Sequence, residues 1–283
     1  MTGFTHKAAA WLTALLTALG LMLGAGQAAR ADADIESGWA DDGHARARLV
    51  FGEWRAGGTA LIGVEIVLQP GWHTFWRTPG DAGLPPRFEW AGSEGAKPGP
   101  AHFPWPEPFD VNGYRSHGYA DRVIFPVIVE AEGQATLRLT LAYAVCADIC
   151  MLNEADLALT LDPDLTRSPH RPAIVEALAQ SPQKTGLAAK SWFEDKELVI
   201  ELAQPRRIEA LLVEGPDGMV LDGGASERGV WRFQVGMADR RASLPGRVIK
   251  LTAKEDRGSV AFTARVEKPA QPGPSRPEPS DSR

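Results

Sequence analysis

Cys146 and Cys150 are the only thiols among the 283 residues, and three residues separate them in YAVCADICMLNE (143–154). Two soft sulfur donors at that spacing allow three kinds of chemistry. They can form a short-range disulfide that braces a turn, a clamp for a thiophilic metal, or a couple that exchanges electrons with another protein. In the chain-entropy account a five-residue disulfide loop stabilises by only about 2 kcal/mol, against about 4.7 kcal/mol for a hundred-residue loop. A chain with a good apolar core gains little from so local a staple, so the redox reading leads. The neighbours do not activate a thiolate. Ala147, Asp148 and Ile149 lie between the cysteines, Asp148 disfavours the anion, and no Lys, Arg or His adjoins the pair. Activation then falls to the fold, or to a partner that brings the attacking thiolate. For a metal, Cys146, Cys150 and the Met151 thioether form a soft set suited to Cu(I). Zinc would need two more ligands, with His73, His102 and His117 as candidates.

The elements that position the pair are strands. In ATLRLTLAYAV (135–145), Leu137, Leu139, Leu141, Tyr143 and Val145 share one face, and Arg138 and Thr140 lie on the other. That period of two marks a strand with one buried side. GTALIGVEIVLQ (58–69), RVIFPVIVE (122–130) and ADLALTL (155–161) alternate in the same way between Gly, Pro and Asp punctuation. Carried through the turn, the parity places Cys146 and Cys150 at a hairpin end, on the face away from the apolar interior. Many short strands with almost no helical period predict an all-β chain, an immunoglobulin-like β-sandwich followed by a second, smaller β-domain. Residues 163–187 read as a linker carrying one short helix from Pro172 to Gln180, with the proline suited to a first helical turn. Alternation resumes in ELVIEL, IEALLVE, VWRFQV, RVIKLTA and SVAFTARV, which defines the second domain at 188–268. The tail 269–283, rich in Pro and Ser, has no apolar face to bury.

Residues 1–31 carry Lys7, then the apolar run AAAWLTALLTALGLML, then small residues up to Ala29-Arg30-Ala31. That order predicts a cleaved secretory signal peptide, with a first domain spanning 32–162 in the exported, soluble product. Without residues 1–31 the chain holds 28 basic and 36 acidic side chains, and it shows no basic stripe, so nucleic acid is not an expected partner. G-x-S-x-G, H-E-x-x-H, phosphate-loop and C-x-x-C signatures are missing from the sequence, and no organic cofactor is implied.

Three stretches together resemble the periplasmic N-terminal domain of the thiol:disulfide interchange protein DsbD and its relative ScsB. They are PGWHTFWRTPGDAGLPPRFEW (70–90), FDVNGYRSHGYADRVIFPVIV (109–129) and the cysteine hairpin at 135–161. The resemblance covers roughly residues 40–162, with the stretches in family order. It implies an immunoglobulin-like sandwich in the periplasm whose cysteines shuttle between disulfide and dithiol. Its expected partners are periplasmic thioredoxin-like proteins, with a separate membrane reductase as the electron source. Cys146 and Cys150 match the redox pair, and the analogy favours Cys150 as the sulfur that attacks the downstream partner. Loop 110–119, with Asp110, Tyr114, His117 and Tyr119, matches the family's cap loop, which covers the disulfide until a partner docks. Trp72, His73 and Phe75 match an aromatic strand close to the cysteines. The family domain spaces its cysteines more widely than this chain does, so turn geometry and potential do not carry over. An envelope copper-binding module, or a non-catalytic interaction domain with a structural disulfide, are the alternative functions. For Trp72, Trp76, Trp90 and Trp105 a docking groove is the alternative to the expected place in the sandwich core, and PWPEPF (104–109) reads as a stiff lead-in to the cap.

Overall fold

Alternating apolar residues can bury one side of a strand only if a second sheet covers it, and that requirement shapes the first body. A computed structural model describes residues 35–204, 207–236, 238–256 and 258–268. The expected signal peptide and the tail lie outside the described residues. The first body contains β1 (Ala40–Asp41), β2 (Ala45–Arg55), β3 (Thr59–Leu68), β4 (His73–Gly80) and β5 (Arg87–Glu89). It continues with β6 (Glu94–Pro98), β7 (Glu107–Val111), β8 (Tyr114–Ala120), β9 (Arg122–Cys146) and β10 (Cys150–Leu161).

The segments 122–130 and 135–145 are one strand rather than two. The first half of β9 pairs with β3, from Val67 opposite Arg122 to Thr59 opposite Glu130. Its second half pairs with β10, from Leu161 opposite Ala135 to Cys150 opposite Cys146. Gly133, at φ 113°, lies between the halves, in a conformation that L side chains rarely adopt. The long strand therefore belongs to both layers of an immunoglobulin-like sandwich. Phe125, Val127, Leu137, Leu139, Leu157 and Leu159 point inward from it and its partner. They meet Leu49, Phe51, Ile62, Val64 and Ile66 of β2 and β3, together with the fully buried Trp76. Each large apolar side chain removed from water contributes roughly 1.5–3 kcal/mol before chain entropy is counted.

Helix α1 (Arg171–Gln180) does more than link. Ile174 and Ala177 pack on Val50, Leu61 and Ile124, covering the outer face of β2, β3 and β9. Gly63 makes this approach possible, since a Cβ there would sit 2.7 Å from Ile124 Cγ2.

The second body comprises β11 (Gln183–Lys184), β12 (Ala189–Glu194), β13 (Glu197–Leu202), β14 (Ala210–Glu214) and β15 (Val220–Leu221). β16 (Ala225–Glu227), β17 (Val230–Gln234), helix α2 (Ala238–Ser243), β18 (Val248–Glu255) and β19 (Gly258–Arg265) complete it. Its two sheets run β11-β19-β18-β14-β15 and β12-β13-β17-β16, and close on Leu198, Ile200, Val213, Phe233, Ile249 and Leu251.

The two bodies are joined by a buried carboxylate. Arg77 of β4 donates through Nη2 to Glu214 Oε1 at 2.6 Å and through Nε to Oε2 at 3.2 Å. Thr78 and Thr252 donate to the same carboxylate. Burial raises the Glu214 pKa, but the hydrogen bond and charge of Arg77, with Thr78, more than offset this and hold it below 4.5. A carboxyl lowered on folding stabilises above its ordinary pKa and loses that contribution as pH falls through the folded value. Glu214→Gln should cost about 2 kcal/mol in urea denaturation at pH 7, as expected for hydrogen bonds to a charged group. The gap between variant and parent should narrow as pH drops below 4.5.

Candidate redox site

Antiparallel pairing sets the two cysteines face to face. Ala147, Asp148 and Ile149 make the turn between β9 and β10, closed by Ala147 N donating to Ile149 O at 3.0 Å. Cys146 and Cys150 are direct cross-strand partners and form a disulfide with Cα atoms 4.1 Å apart. As the parity predicts, both lie off the main core. Cys146 is nonetheless only 1% exposed, because a second apolar cluster encloses it. Cys150, across the same bond, is exposed.

Strand β4 forms the floor of this cluster. His73 pairs with Cys146 and Thr74 with Val145, and Thr74 Oγ1 donates to Ala144 O at 2.9 Å. Phe75 is fully buried beside Cys146. The following loop passes directly over its ring: a Cβ at Gly83 would fall 2.1 Å from Phe75 Cε1, and Gly83 sits at φ 96°. Only glycine satisfies both demands.

The roof is a β-hairpin rather than a loop. β7 and β8 pair from Glu107 opposite Gly118 to Val111 opposite Tyr114. Asn112 and Gly113 turn the chain at φ 50° and 84°, the signs of a type I′ turn. Phe109 stacks on His73 with ring centroids 4.4 Å apart and tilts against Phe75 at 5.6 Å. Val111 joins it over Cys146. At the tip, Asn112 Nδ2 donates to Asp148 O at 3.4 Å, so roof and cysteine turn touch.

The expected site residues separate into groups. Cys146, Cys150, His73 and Phe75 are together. Asp110 is exposed on the roof and lies 4.0 Å from Arg115, and Tyr114 is exposed beside the tip. His117 is buried on the roof's far side, where its Nε2 donates to Asp222 Oδ2 of the second body at 3.0 Å. Tyr119 is a core residue. Its hydroxyl donates to Pro104 O at 2.9 Å and its ring meets Phe125 edge-on, because β8 has entered the sandwich by that point. Trp72 stacks on His44 and packs against the main core, as Trp90 and Trp105 also do. Met151 follows Cys150 on a strand and so faces the opposite side of the sheet. Among the described residues, no group of three or more His, Cys, Asp or Glu is placed to hold a metal.

Phe109 is the residue that sequence reading missed. Its signal was present: Phe109 and Val111 alternate into Asn-Gly, the strongest short-range mark of a hairpin. The surroundings are apolar too. Among the described residues six large apolar side chains are exposed, and Tyr114, Ile149, Met151 and Leu152 lie on the roof tip or the cysteine hairpin. Leu84 lines a groove with Leu152, Tyr143 and Ala144 on the same hairpin. Exposed apolar surface concentrated at one end marks a contact surface.

An opposed cysteine pair at the tip of an immunoglobulin-like sandwich, half covered and bordered by apolar surface, defines a thiol–disulfide interchange module. Residues 46–162 match the family model for the thiol:disulfide interchange protein DsbD, N-terminal, and this segment is a domain of that family. The fold of both bodies is that of the N-terminal periplasmic domain of ScsB from Proteus mirabilis. That crystal structure superposes with a TM-score of 0.65 at 22% identity, covering 84% of this chain and 100% of that one. The periplasmic chaperone SfaE (8% identity, 78% of this chain and 100% of that one) has a TM-score of 0.19. The glucan-utilization protein SGBP-B from Bacteroides ovatus (10% identity, 84% and 64%) also has a TM-score of 0.19, and neither carries an argument. A comparison with curated proteins found no match. No helix among the described residues is long and apolar enough to cross a membrane.

Proposed function

We propose that the protein works in the periplasm as an electron relay, with Cys146–Cys150 cycling between disulfide and dithiol against thioredoxin-fold partners. A separate membrane reductase supplies the electrons. The observation that carries this reading is the asymmetry of the bond: Cys150 is exposed and Cys146 lies under Phe109. A staple gains nothing from presenting one sulfur to solvent on an apolar shelf. The family match at 46–162 and the leader-like residues 1–31 support the same reading.

The exchange balances as follows. A partner thiolate attacks Cys150 Sγ, the S–S bond breaks, and Cys146 leaves as a thiolate that takes up a proton. The partner's second thiolate then attacks its own sulfur in the mixed disulfide, releasing Cys150, which is protonated in turn. Two electrons and two protons have moved onto the pair, and the partner is left as a disulfide. Delivery to a downstream disulfide is the reverse sequence, with Cys150 as nucleophile and Cys146 as the resolving thiol. The charge of Asp148 beside Cys150 makes its thiolate harder to form in the open, which favours activation inside the docked complex.

An equilibrium titration of the full chain against dithiothreitol and glutathione buffers tests the proposal. A midpoint above about −300 mV is expected of an exchanging couple, and a pair that stays oxidised well below that value is a structural staple.

A further inference from the structure

The β7–β8 roof has two faces, and the second body holds the one turned away from the disulfide. Cross-strand partners share a face, so Phe109 and Ser116 form one side with Val111, and Pro108, Asp110, Arg115 and His117 form the other. The first side covers Cys146. On the second side, a single carboxylate oxygen collects the contacts. Asp222 Oδ2, between β15 and β16, accepts from His117 Nε2 at 3.0 Å and from Arg115 Nε and Nη2 at 3.2 and 3.1 Å. His117's hydrogen bond and the Arg115 charge hold the Asp222 carboxyl below its ordinary range, so it is ionised at neutral pH.

The position of this contact matters more than its strength. Arg115 and His117 flank Ser116, and Ser116 is the register partner of Phe109, so the carboxylate grips the strand on both sides of the residue paired with the covering one. Apart from this contact the roof is held there by Ser116 Oγ donating to Ala82 O at 3.1 Å and by Asp81 N donating to Arg115 O at 3.0 Å, both to the loop after β4. Its ladder to β4 is continuous only from Phe75 opposite Gly118 to His73 opposite Ala120, and breaks before resuming at Gly80 opposite Ser116. A cleft of about 290 Å³ also separates roof from second body, with Pro108, Arg115 and His117 on one wall and Leu212, Asp222 and Trp231 on the other. Once the carboxylate contact is lost, the roof has room to move back from the sulfur. Arg240 of α2 meanwhile pairs with Asp81 at 2.6 Å, fixing the loop that crosses Phe75.

We propose that the second body is the seat of the roof, and that Asp222 is a positioning residue which holds Phe109 over Cys146 and so sets how often water can reach that sulfur as it leaves, as a thiolate, when Cys150 is attacked. This rests on the reading of the pair as a redox switch, and gives the second body a role in the exchange itself.

The test is the rate at which dithiothreitol reduces the disulfide in the full chain at pH 7. Asp222→Ala should react about tenfold faster, the ratio that corresponds to 1.36 kcal/mol of lost closure. Asp222→Glu, which keeps a carboxylate, should return close to the parent rate, and Arg115→Gln, which keeps the His117 contact, should fall between. Hydrogen exchange should rise at residues 107–118 in Asp222→Ala while β2 and β3 keep their protection. A parent-like rate in both Asp222→Ala and Arg115→Gln would overturn the proposal, as would acceleration accompanied by equal loss of protection in β2 and β3. If Asp222→Ala does not fold, Arg115→Gln decides alone. Because the probe is a small dithiol, these outcomes are independent of whether a thioredoxin-fold partner is accepted. The redox reading fails separately, if dithiothreitol reduces the parent and a reduced thioredoxin-fold protein does not.

Discussion

Cys146→Ser should exchange rapidly through Cys150, and Cys150→Ser should hardly exchange at all. The probe is a thioredoxin-fold protein with one cysteine, carried as its nitrothiobenzoate mixed disulfide. Attack by the free thiolate of the variant on the partner's sulfur releases one coloured thiolate per event and leaves one covalent adduct. In Cys146→Ser the attacking sulfur is on the exposed side of the turn, and the serine at 146 has no thiol with which to resolve the adduct. The adduct should therefore accumulate to one per chain. In Cys150→Ser the remaining sulfur belongs to a residue only 1% exposed under Phe109 and Val111. It reacts only in molecules whose roof is displaced. For a minor state populated at about 1%, the rate falls by about a hundredfold. Equal rates for the two variants would mean that the roof does not distinguish the sulfurs.

The second large effect is expected from Phe109→Ala. The ring stacks on His73 and tilts on Phe75, and aromatic contacts of this kind add about 0.5–1.5 kcal/mol each to the burial of the ring. Losing about 2 kcal/mol of closure should speed reduction by a small dithiol about thirtyfold. Global stability should change less, because β7 is the last strand of its sheet and Phe109 lies outside the main core. A variant that loses stability without gaining reactivity would show that the ring braces the hairpin and does not gate the sulfur.

The sandwich and the cysteine turn were legible because their signals are local. Alternation in 135–145 and 155–161 predicts strands that bury Leu137, Leu139 and Leu141 and Leu157, Leu159 and Leu161, and all six lie in the main core. Parity correctly kept Cys146 off the main core. It could not show that Phe109, 37 positions away in the chain, would cover it. Tyr119 misled for a related reason: one strand carries exposed Tyr114 at the roof and Tyr119 in the core, and nothing between them marks the crossing. Contacts between the bodies have no local signature at all. Arg77 meets Glu214 across 137 positions and His117 meets Asp222 across 105, joining residues that look like ordinary surface charges in the sequence. The helix at 171–180 could be placed from Pro172, but its role could not. The apolar outer face of β2, β3 and β9 that it covers is made by Val50, Leu61 and Ile124, which fall on the polar phase of their strands.

The most direct measurement mixes the oxidised full chain with an equimolar reduced thioredoxin-fold protein, quenches with acid through the time course and maps every disulfide by mass. The relay predicts that two thiols appear on Cys146 and Cys150 as two disappear from the partner, through a transient mixed disulfide at Cys150. A partner that stays reduced beside an intact Cys146–Cys150 bond, or a mixed disulfide located at Cys146, would contradict it.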